Sequence, residues 1–338
     1  MGQTLAPIAP PPGFKMKVAV IGAGSLGSLV AGLLGLVAGR EDEIFLVTNR
    51  PMPDTALTLE PAELVRQQLP VFSEGAVTVR NVRVVENPAE AAGCQLAIVL
   101  VKSYRTREAG EQAAALLAED GVVLSLQNGL GNLTALASVP KLAGQGLAQG
   151  VTTIGALQVA AGHIRFNGAG HTSLPILDSP AGNRTLAWFG EKLEQVGLSV
   201  SFSGEVESLV WGKLAINCAV NALSALLDFT YEAFLANSPA LQVASQAGQE
   251  VAELAQLKGI ALPYPDVESE FRRVVSLNRA TISSMCQSIR KGRPTEIEAL
   301  NGAVVAEAER LGYPVPVNRL LTQLIRALEA KQQFGGSN

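Results

Sequence analysis

Lys17-Val-Ala-Val-Ile21-Gly22-Ala23-Gly24-Ser25-Leu26-Gly27-Ser28-Leu29-Val30 is the stretch that decides the fold. Its first five residues are a short apolar, β-branched run, the pattern of a buried strand. The glycines then punctuate it, and a helical pattern runs over Ser25 to Ala38. Gly22, Gly24 and Gly27 stand at G-x-G-x-x-G spacing, which is weak by itself and strong between a strand and a helix. Gly22 permits the tight turn, Gly24 lets the backbone approach a pyrophosphate, and Gly27 lets the helix pack closely. The loop from Gly22 through Ala23, Gly24, Ser25 and Leu26 to Gly27 also opens a helix, whose unpaired N–H groups favour phosphate. A glycine-rich packing turn without a ligand is the alternative; the flanking strand and helix favour a dinucleotide site.

Working outward, Glu43 to Val47 reads as a second strand. Arg50 to Ser73 is polar and weakly patterned, as expected of a surface excursion, and Ala76 to Val85 alternates like a half-buried strand or hairpin. The continuous apolar runs Leu96–Val101 and Val122–Leu126 flank a helical segment over 105–118, as in buried parallel strands. Short β segments follow at 152–159, 163–166 and 172–177, then a helix at 184–196 and a strand at 198–202. Strands alternating with helices predict an α/β, Rossmann-type doubly wound sheet domain over 16–203. From 204 to 338 the pattern is helical only, with stretches at 206–226, 231–235, 238–258, 266–276, 279–290, 295–311 and 317–330. An all-α C-terminal domain is therefore expected. Residues 1–15, with four prolines, read as a disordered leader rather than a signal peptide.

The strand tips carry the cofactor prediction. An NAD site usually has an acid about 20 residues past the glycine loop, on the ribose 2′-hydroxyl. Here the second strand ends in Thr48-Asn49-Arg50, without a carboxylate. Arg50 suits a 2′-phosphate through its planar fork, so NADP (NADPH) is favoured over a merely solvated arginine. Lys102 and Asn128 follow the next two strands and belong at the same carboxyl-end crevice. Asn128, followed by Gly129, equally suits a plain turn position.

Composition bounds the alternatives. Thirty acidic against 26 basic residues give a net charge of −4, which argues against a nucleic-acid partner. The charge-free run Val18–Gly39 is long enough to span a bilayer, but its β-rich start and its glycines suit a strand and turn, so no membrane segment is expected. Cys94, Cys218 and Cys286 have neither metal nor redox spacing and fit reduced cytoplasmic thiols. Two histidines supply no metal site.

The most informative helix is Trp211-Gly-Lys213-Leu-Ala-Ile-Asn217-Cys-Ala-Val-Asn221-Ala-Leu-Ser. Lys213, Asn217 and Asn221 are four apart and share one face of an otherwise apolar helix. An unpaired buried amide costs roughly 1–3 kcal/mol, so the stripe needs partners. Either a neighbouring helix supplies them, as a structural seam, or a ligand does. A lysine heading such a stripe suits reduction of a ketone, where an ammonium stabilises and protonates the developing alkoxide. Further on, Thr295 with Glu298 fits a capping box. That leaves Glu296 free for a hydroxyl or a lysine, and Ser284 for packing or for substrate.

Taken together, the glycine loop, Val101-Lys102, Gln127-Asn-Gly-Leu-Gly131, Gly150-Val-Thr-Thr, the Lys213/Asn217/Asn221 helix, Ser283-Ser-Met and Thr295-Glu-Ile-Glu-Ala-Leu-Asn-Gly302 resemble the 2-dehydropantoate 2-reductase (ketopantoate reductase) family. The match runs in order from about Lys17 to the last helix. The resemblance implies NADPH-dependent reduction of ketopantoate to pantoate, a step toward pantothenate and coenzyme A. It implies Lys213 as general acid, with Asn217, Asn221 and Ser284 on the substrate, a small 2-oxo acid. It implies Asn128 between cofactor and substrate, Glu296 on the nicotinamide side, and the backbone near Ala156 approaching the cofactor.

The chain departs from the family in three places: Asn221-Ala222 replaces Asn-Pro, Tyr231-Glu-Ala replaces Asn-Gly-Glu, and Ser288 stands where an aspartate is common. Reduction of another branched 2-oxo acid, and a noncatalytic NADP sensor on the same fold, are the competing readings. The apolar helices also offer faces for a homodimer.

Overall fold

Val18 and Val20 point into one apolar core while Ala19 and Ile21 point into another, the period-two signature of a strand covered on both faces. That strand is β1 (Lys17–Ile21). It leads into α1 (Ser25–Val37) and β2 (Glu43–Val47), then β3 (Leu57–Pro61), α2 (Glu63–Gln68), β4 (Val77–Val79), β5 (Arg83–Val85) and β6 (Cys94–Val99). Next come α3 (Thr106–Leu116), β7 (Leu117–Ser125), α4 (Asn132–Ala137), β8 (Gly146–Gln149), β9 (Val151–Thr152) and β10 (Gly155–Ala160). β11 (His163–Gly168), β12 (His171–Pro175), α5 (Pro180–Val196) and β13 (Ser199–Ser203) complete this part. The computed structural model describes residues 14–52, 56–277 and 279–335. All but the last two residues of the Pro-rich leader lie outside the described residues.

The chain divides into two units, residues 1–127 with 132–206, and residues 128–131 with 207–338. In the first, a six-stranded sheet has the order β5-β2-β1-β6-β7-β8 and is parallel throughout. Val18, Val20, Ile44, Leu46, Leu96 and Ile98 share a core with residues of α1 and α5. Ala19, Ile21, Phe45, Val47, Ala97 and Val99 share the other with residues of α3 and α4. Helices on both faces make this the doubly wound, Rossmann-type arrangement.

Two expectations fail here. The 50–73 stretch is no surface excursion: Leu57, Leu59, Val65, Leu69 and Phe72 are all buried. Its β3 pairs with β11 in a second sheet, ordered β10-β11-β3-β4, that packs on α1. Gly32 of α1 makes room for it, since a Cβ there would lie 2.9 Å from Leu59 Cδ2. Residues 76–85 are not a hairpin either. β4 joins β3 in the second sheet, while β5 pairs with β2 in the first.

The second unit is helical among the described residues: α6 (Val206–Leu227), α7 (Tyr231–Leu235), α8 (Ser238–Leu257), α9 (Val267–Ser276), α10 (Ser284–Arg290), α11 (Asn301–Leu311) and α12 (Pro316–Gly335). By length and composition α6 could cross a membrane, but 67% of its most apolar window is buried inside the protein, which suits a core helix. The expected helix over 279–290 starts only at Ser284, because Ser283 caps it by accepting the Cys286 N–H at 3.1 Å. The expected helix over 295–311 is broken at Leu300 (φ −104°, ψ −108°) into a 3-10 turn, Ile297–Ala299, and α11. The predicted capping box does not form. Glu298 pairs with Arg326, and the Thr295 N–H donates to Glu329 at 2.6 Å instead.

Glu250 of α8 ties this unit together. Its carboxylate accepts the backbone N–H groups of Val317 and Asn318 at 2.8 and 2.9 Å and Asn318 Nδ2 at 2.7 Å, capping α12 from another helix. An acid at a helix N-terminus is favourable, and it also satisfies first-turn N–H groups that have no partner within α12. Asn318 Nδ2 also donates to the Ala247 carbonyl, and Asn301 Nδ2 reaches Asn318 Oδ1 at 2.9 Å and the Cys218 carbonyl at 3.2 Å. Glu250→Ala leaves three donors without their acceptor, and should lower stability by about 3 kcal/mol. Thermal unfolding beside Glu250→Gln, which keeps one acceptor oxygen, checks this: the glutamine variant is expected to lose less.

Candidate functional site

The glycine loop is built by backbone first. Gly22 takes φ +115°, and its N–H donates to the Val47 carbonyl at 3.0 Å, joining the loop to the end of β2. A Cβ on Gly27 would fall 1.9 Å from the Gly22 carbonyl oxygen, so the first turn of α1 lies directly on the loop. A Cβ on Gly24 would meet nothing within 4 Å, which leaves open space over that backbone. α1 begins at Ser25 with no side-chain cap, so its first N–H groups are not taken by a capping side chain. These features fit a dinucleotide pyrophosphate.

Gln158 of β10 braces the loop. Its backbone N–H donates to Ser25 Oγ at 2.9 Å and its amide to the Ala23 carbonyl at 3.2 Å. Ala156, the residue expected here, lies two positions earlier on the same strand, opposite Phe166. No spacing in the sequence announces Gln158, because its contact spans more than 130 residues.

Arg50 is exposed just past β2, its N–H donating to Thr48 Oγ1 at 3.1 Å. Lys102 follows β6, in a segment fixed by a buried network. Gln127 donates to the Val101 carbonyl at 2.9 Å and to Thr106 Oγ1 at 2.8 Å, and accepts from Ser125 Oγ at 3.0 Å. Arg50, Lys102, Ala156 and the glycine loop thus all belong to the first unit.

Asn128 belongs to the second. In the Asn128–Gly131 loop, the Leu130 N–H donates to the Ala299 carbonyl at 2.9 Å. Gly129 (φ +82°) lies so close that a Cβ would sit 2.2 Å from that same oxygen. Ala299 is three residues from Glu296, which is buried, so the loop and the Glu296 segment adjoin.

On α6, Lys213, Asn217 and Asn221 follow one another at one-turn intervals. Burial pulls the Lys213 ammonium down to a pKa of about 8, against an opposing pull from the Glu296 carboxylate. Asn217 Nδ2 is buried and has no hydrogen-bond partner among the described residues. Asn221 is buried, and its carbonyl accepts from Ser224 Oγ at 3.1 Å. Ser224 in turn reaches Ser283 Oγ at 2.8 Å, which joins α6 to the start of α10. Within the serine pair, Ser283 is the buried cap and Ser284 the exposed neighbour. Beside Lys213, Tyr264 Oη donates to the Gly212 carbonyl at 2.6 Å, a brace the sequence did not suggest.

Family models of the ketopantoate reductase PanE/ApbA match residues 18–179, and of its C-terminal part residues 205–329. The chain belongs to the ketopantoate reductase family. It is 32% identical to a 2-dehydropantoate 2-reductase of Halobacterium salinarum, over 92% of this chain and 98% of that one. A solved PanE/ApbA family ketopantoate reductase from Ralstonia eutropha JMP134 superposes with a TM-score of 0.81 at 30% identity, covering 95% of this chain and all of that one. The fold is also that of a D-mandelate dehydrogenase solved with NADH and anilino(oxo)acetate (TM-score 0.79, 23% identity, covering 95% of this chain and all of that one).

As a ketopantoate reductase family member the chain is a nicotinamide-dependent oxidoreductase. Its three departures have structural answers. Ala222 is fully buried and keeps the α6 hydrogen-bond ladder intact where a proline would break it. Ser288 is buried and turns its hydroxyl back onto the Ser284 carbonyl at 3.1 Å. Tyr231, at the start of α7, packs on the helical core, and burial pushes its phenol up to about 12.

The glycines predict two different failures. Gly24→Ala should keep the wild-type melting temperature, because its Cβ meets nothing, yet weaken binding of the nicotinamide cofactor at least tenfold. Gly27→Ala should lower the melting temperature as well, because its Cβ collides with backbone. Calorimetric unfolding and cofactor titration of both variants check this; equal melting losses would contradict it.

Proposed function

We propose that this chain reduces 2-dehydropantoate to pantoate with NADPH, in the cytoplasmic route to pantothenate and coenzyme A. The observation that carries the reading is Lys213, an ammonium held at a pKa of about 8 on an apolar helix. One turn on, Asn217 adds a buried donor that no group among the described residues accepts. A 2-oxo acid offers ketone and carboxylate oxygens, an acceptor for the buried Asn217 amide, with Lys213, Asn221 and the exposed Ser284 hydroxyl as further contacts.

The cradle from Gly22 through Ala23, Gly24, Ser25 and Leu26 to Gly27 holds the pyrophosphate, with the backbone near Ala156 beside it. Arg50 and Lys102 meet the phosphate on the adenosine ribose, and Asn128 and Glu296 serve the nicotinamide end. When bound, NADPH supplies the hydride that the carbonyl carbon receives. As charge builds on the ketone oxygen, Lys213 donates its proton there and becomes a neutral amine, later reprotonated from water. A pKa near 8 suits this task, because the group is charged at neutral pH and still a willing donor. Glu296 keeps it charged, opposing the desolvation that would otherwise lower the pKa further.

A second reading, reduction of a different branched 2-oxo acid, is favoured by Tyr231, which is bulkier and less polar than the family's usual asparagine. Turnover across a panel of 2-oxo acids separates the two.

NADPH oxidation with ketopantoate is the test. Lys213→Ala should cost 10²–10⁴-fold in kcat. The wild-type kcat/KM should be flat below about pH 8 and fall above it, as Lys213 gives up its proton. Glu296→Gln removes the charge that raises the lysine pKa, so the falling limb should move to lower pH. Retained turnover in Lys213→Ala would remove the lysine from the reaction. NADPH binding with no turnover on any 2-oxo acid would favour a sensor.

A further inference from the structure

Where a carboxylate stands in an NAD site, this chain has Asn49, and its side chain is engaged. With its amide oxygen turned toward Arg105, Asn49 accepts from Nη1 at 2.7 Å and Nη2 at 2.5 Å. Arg105 comes from the segment after β6, three residues past Lys102, so it crosses from one strand end to the next. The other edge of its guanidinium faces Glu108 on α3: Nε donates to Oε2 at 2.9 Å, and Nη2 reaches the second oxygen. Both side chains of this pair remain partly open to water, Arg105 at 33% and Glu108 at 49%.

These facts bear on charge. Asn49 is neutral, so Thr48-Asn49-Arg50 itself brings no acid against an anion on the ribose 2′ position. Arg105 is a planar fork suited to two phosphate oxygens, and its present acid partner is solvent-accessible. An exposed ion pair with a carboxylate contributes little. A phosphate dianion gives the same fork a stronger partner. Since Asn49 and Glu108 together take most of the guanidinium's N–H groups, a phosphate gains the fork by displacing Glu108.

We infer that Arg105 is a second guanidinium for the phosphate on the adenosine ribose, alongside Arg50, and that Glu108 competes with that phosphate for it. Glu108 thereby sets how strongly the chain prefers a 2′-phosphorylated cofactor. This rests on the NADPH reading above, and assigns the residues that tune it.

The test measures binding without turnover: calorimetric titration of the full chain with 2′,5′-ADP and with 5′-ADP, whose ratio isolates the 2′-phosphate. Wild type should prefer 2′,5′-ADP. Arg105→Ala should lose at least tenfold of that preference. Glu108→Gln, which frees the fork and removes a negative charge, should widen the preference several-fold, a gain that a merely structural ion pair would not yield. Equal weakening of both ligands in Arg105→Ala makes the residue structural and overturns the assignment. So does an unchanged or reduced preference in Glu108→Gln. A wild-type chain that binds the two ligands alike overturns the NADPH reading and this inference together. A wild-type preference that survives Arg105→Ala overturns this inference alone.

Discussion

An ammonium ion withdrawn from water on a helix of alanine, leucine, isoleucine and valine is the constraint around which the helical unit is arranged. The fall of Lys213 from 10.5 to about 8 corresponds to about 3 kcal/mol against the charged form. The sign matters: the folded pKa lies below the unfolded one, so the cost is fully present below about pH 8. It fades as pH rises toward 10.5, where the unfolded chain also loses its proton. A protein that only needed to pack α6 would have placed a leucine there. Holding the charge requires Glu296 nearby, and Glu296 is itself buried at the end of a segment that the Thr295–Glu329 bond and the Leu300 break keep out of regular helix. The irregular backbone between α10 and α11 therefore has a purpose: a continuous helix would give Glu296 a different position and direction.

The sheet unit obeys a different constraint, closeness of backbone to backbone. Gly22 and Gly27 touch where any side chain would collide, and Gly32 and Gly35 let a second sheet lie on α1. Tight packing at the base of α1 leaves the space over Gly24 as the open part of the loop. Gln158 reaches the loop from that second sheet, so the strands built from residues 57–61 and 155–168 do more than cover a core.

What the sequence disclosed follows from the range of the interactions involved. β1 and β2 are legible to the residue because a buried parallel strand is an unbroken apolar run with polar ends. The Lys213 stripe is legible because three polar residues at one-turn spacing on an apolar helix have few explanations. β3 was missed because Leu57-Thr-Leu-Glu-Pro61 is short, flanked by prolines, and paired with a strand about 100 residues away. β4 and β5 were read together because nothing local says that the chain changes sheet at Asn81. The capping box was plausible locally, but Glu329 and Arg326 of α12 outbid it from 28 to 34 residues away. Arg105 resembles any surface arginine until Asn49 is found beside it.

The departures from the family pattern can be ranked by what each does to its surroundings. Ala222 restores a backbone donor to α6 and disappears into the core, so it alters helix regularity and no exposed chemistry. Ser288 spends its hydroxyl on its own helix, which a serine does readily and an aspartate cannot, since an ionised carboxylate has no proton to donate. Both changes are absorbed by backbone. Tyr231 is different in kind: it brings a large ring and a desolvated hydroxyl to a position where the family has a small amide, next to the segment that leads into Ser283 and Ser284. The Tyr231 N–H donates to the Thr281 carbonyl, so the ring's backbone is anchored to that segment. If the substrate of this chain differs from ketopantoate, physical reasoning assigns the difference to Tyr231, because it is the one change that alters volume and polarity without being neutralised by its own helix.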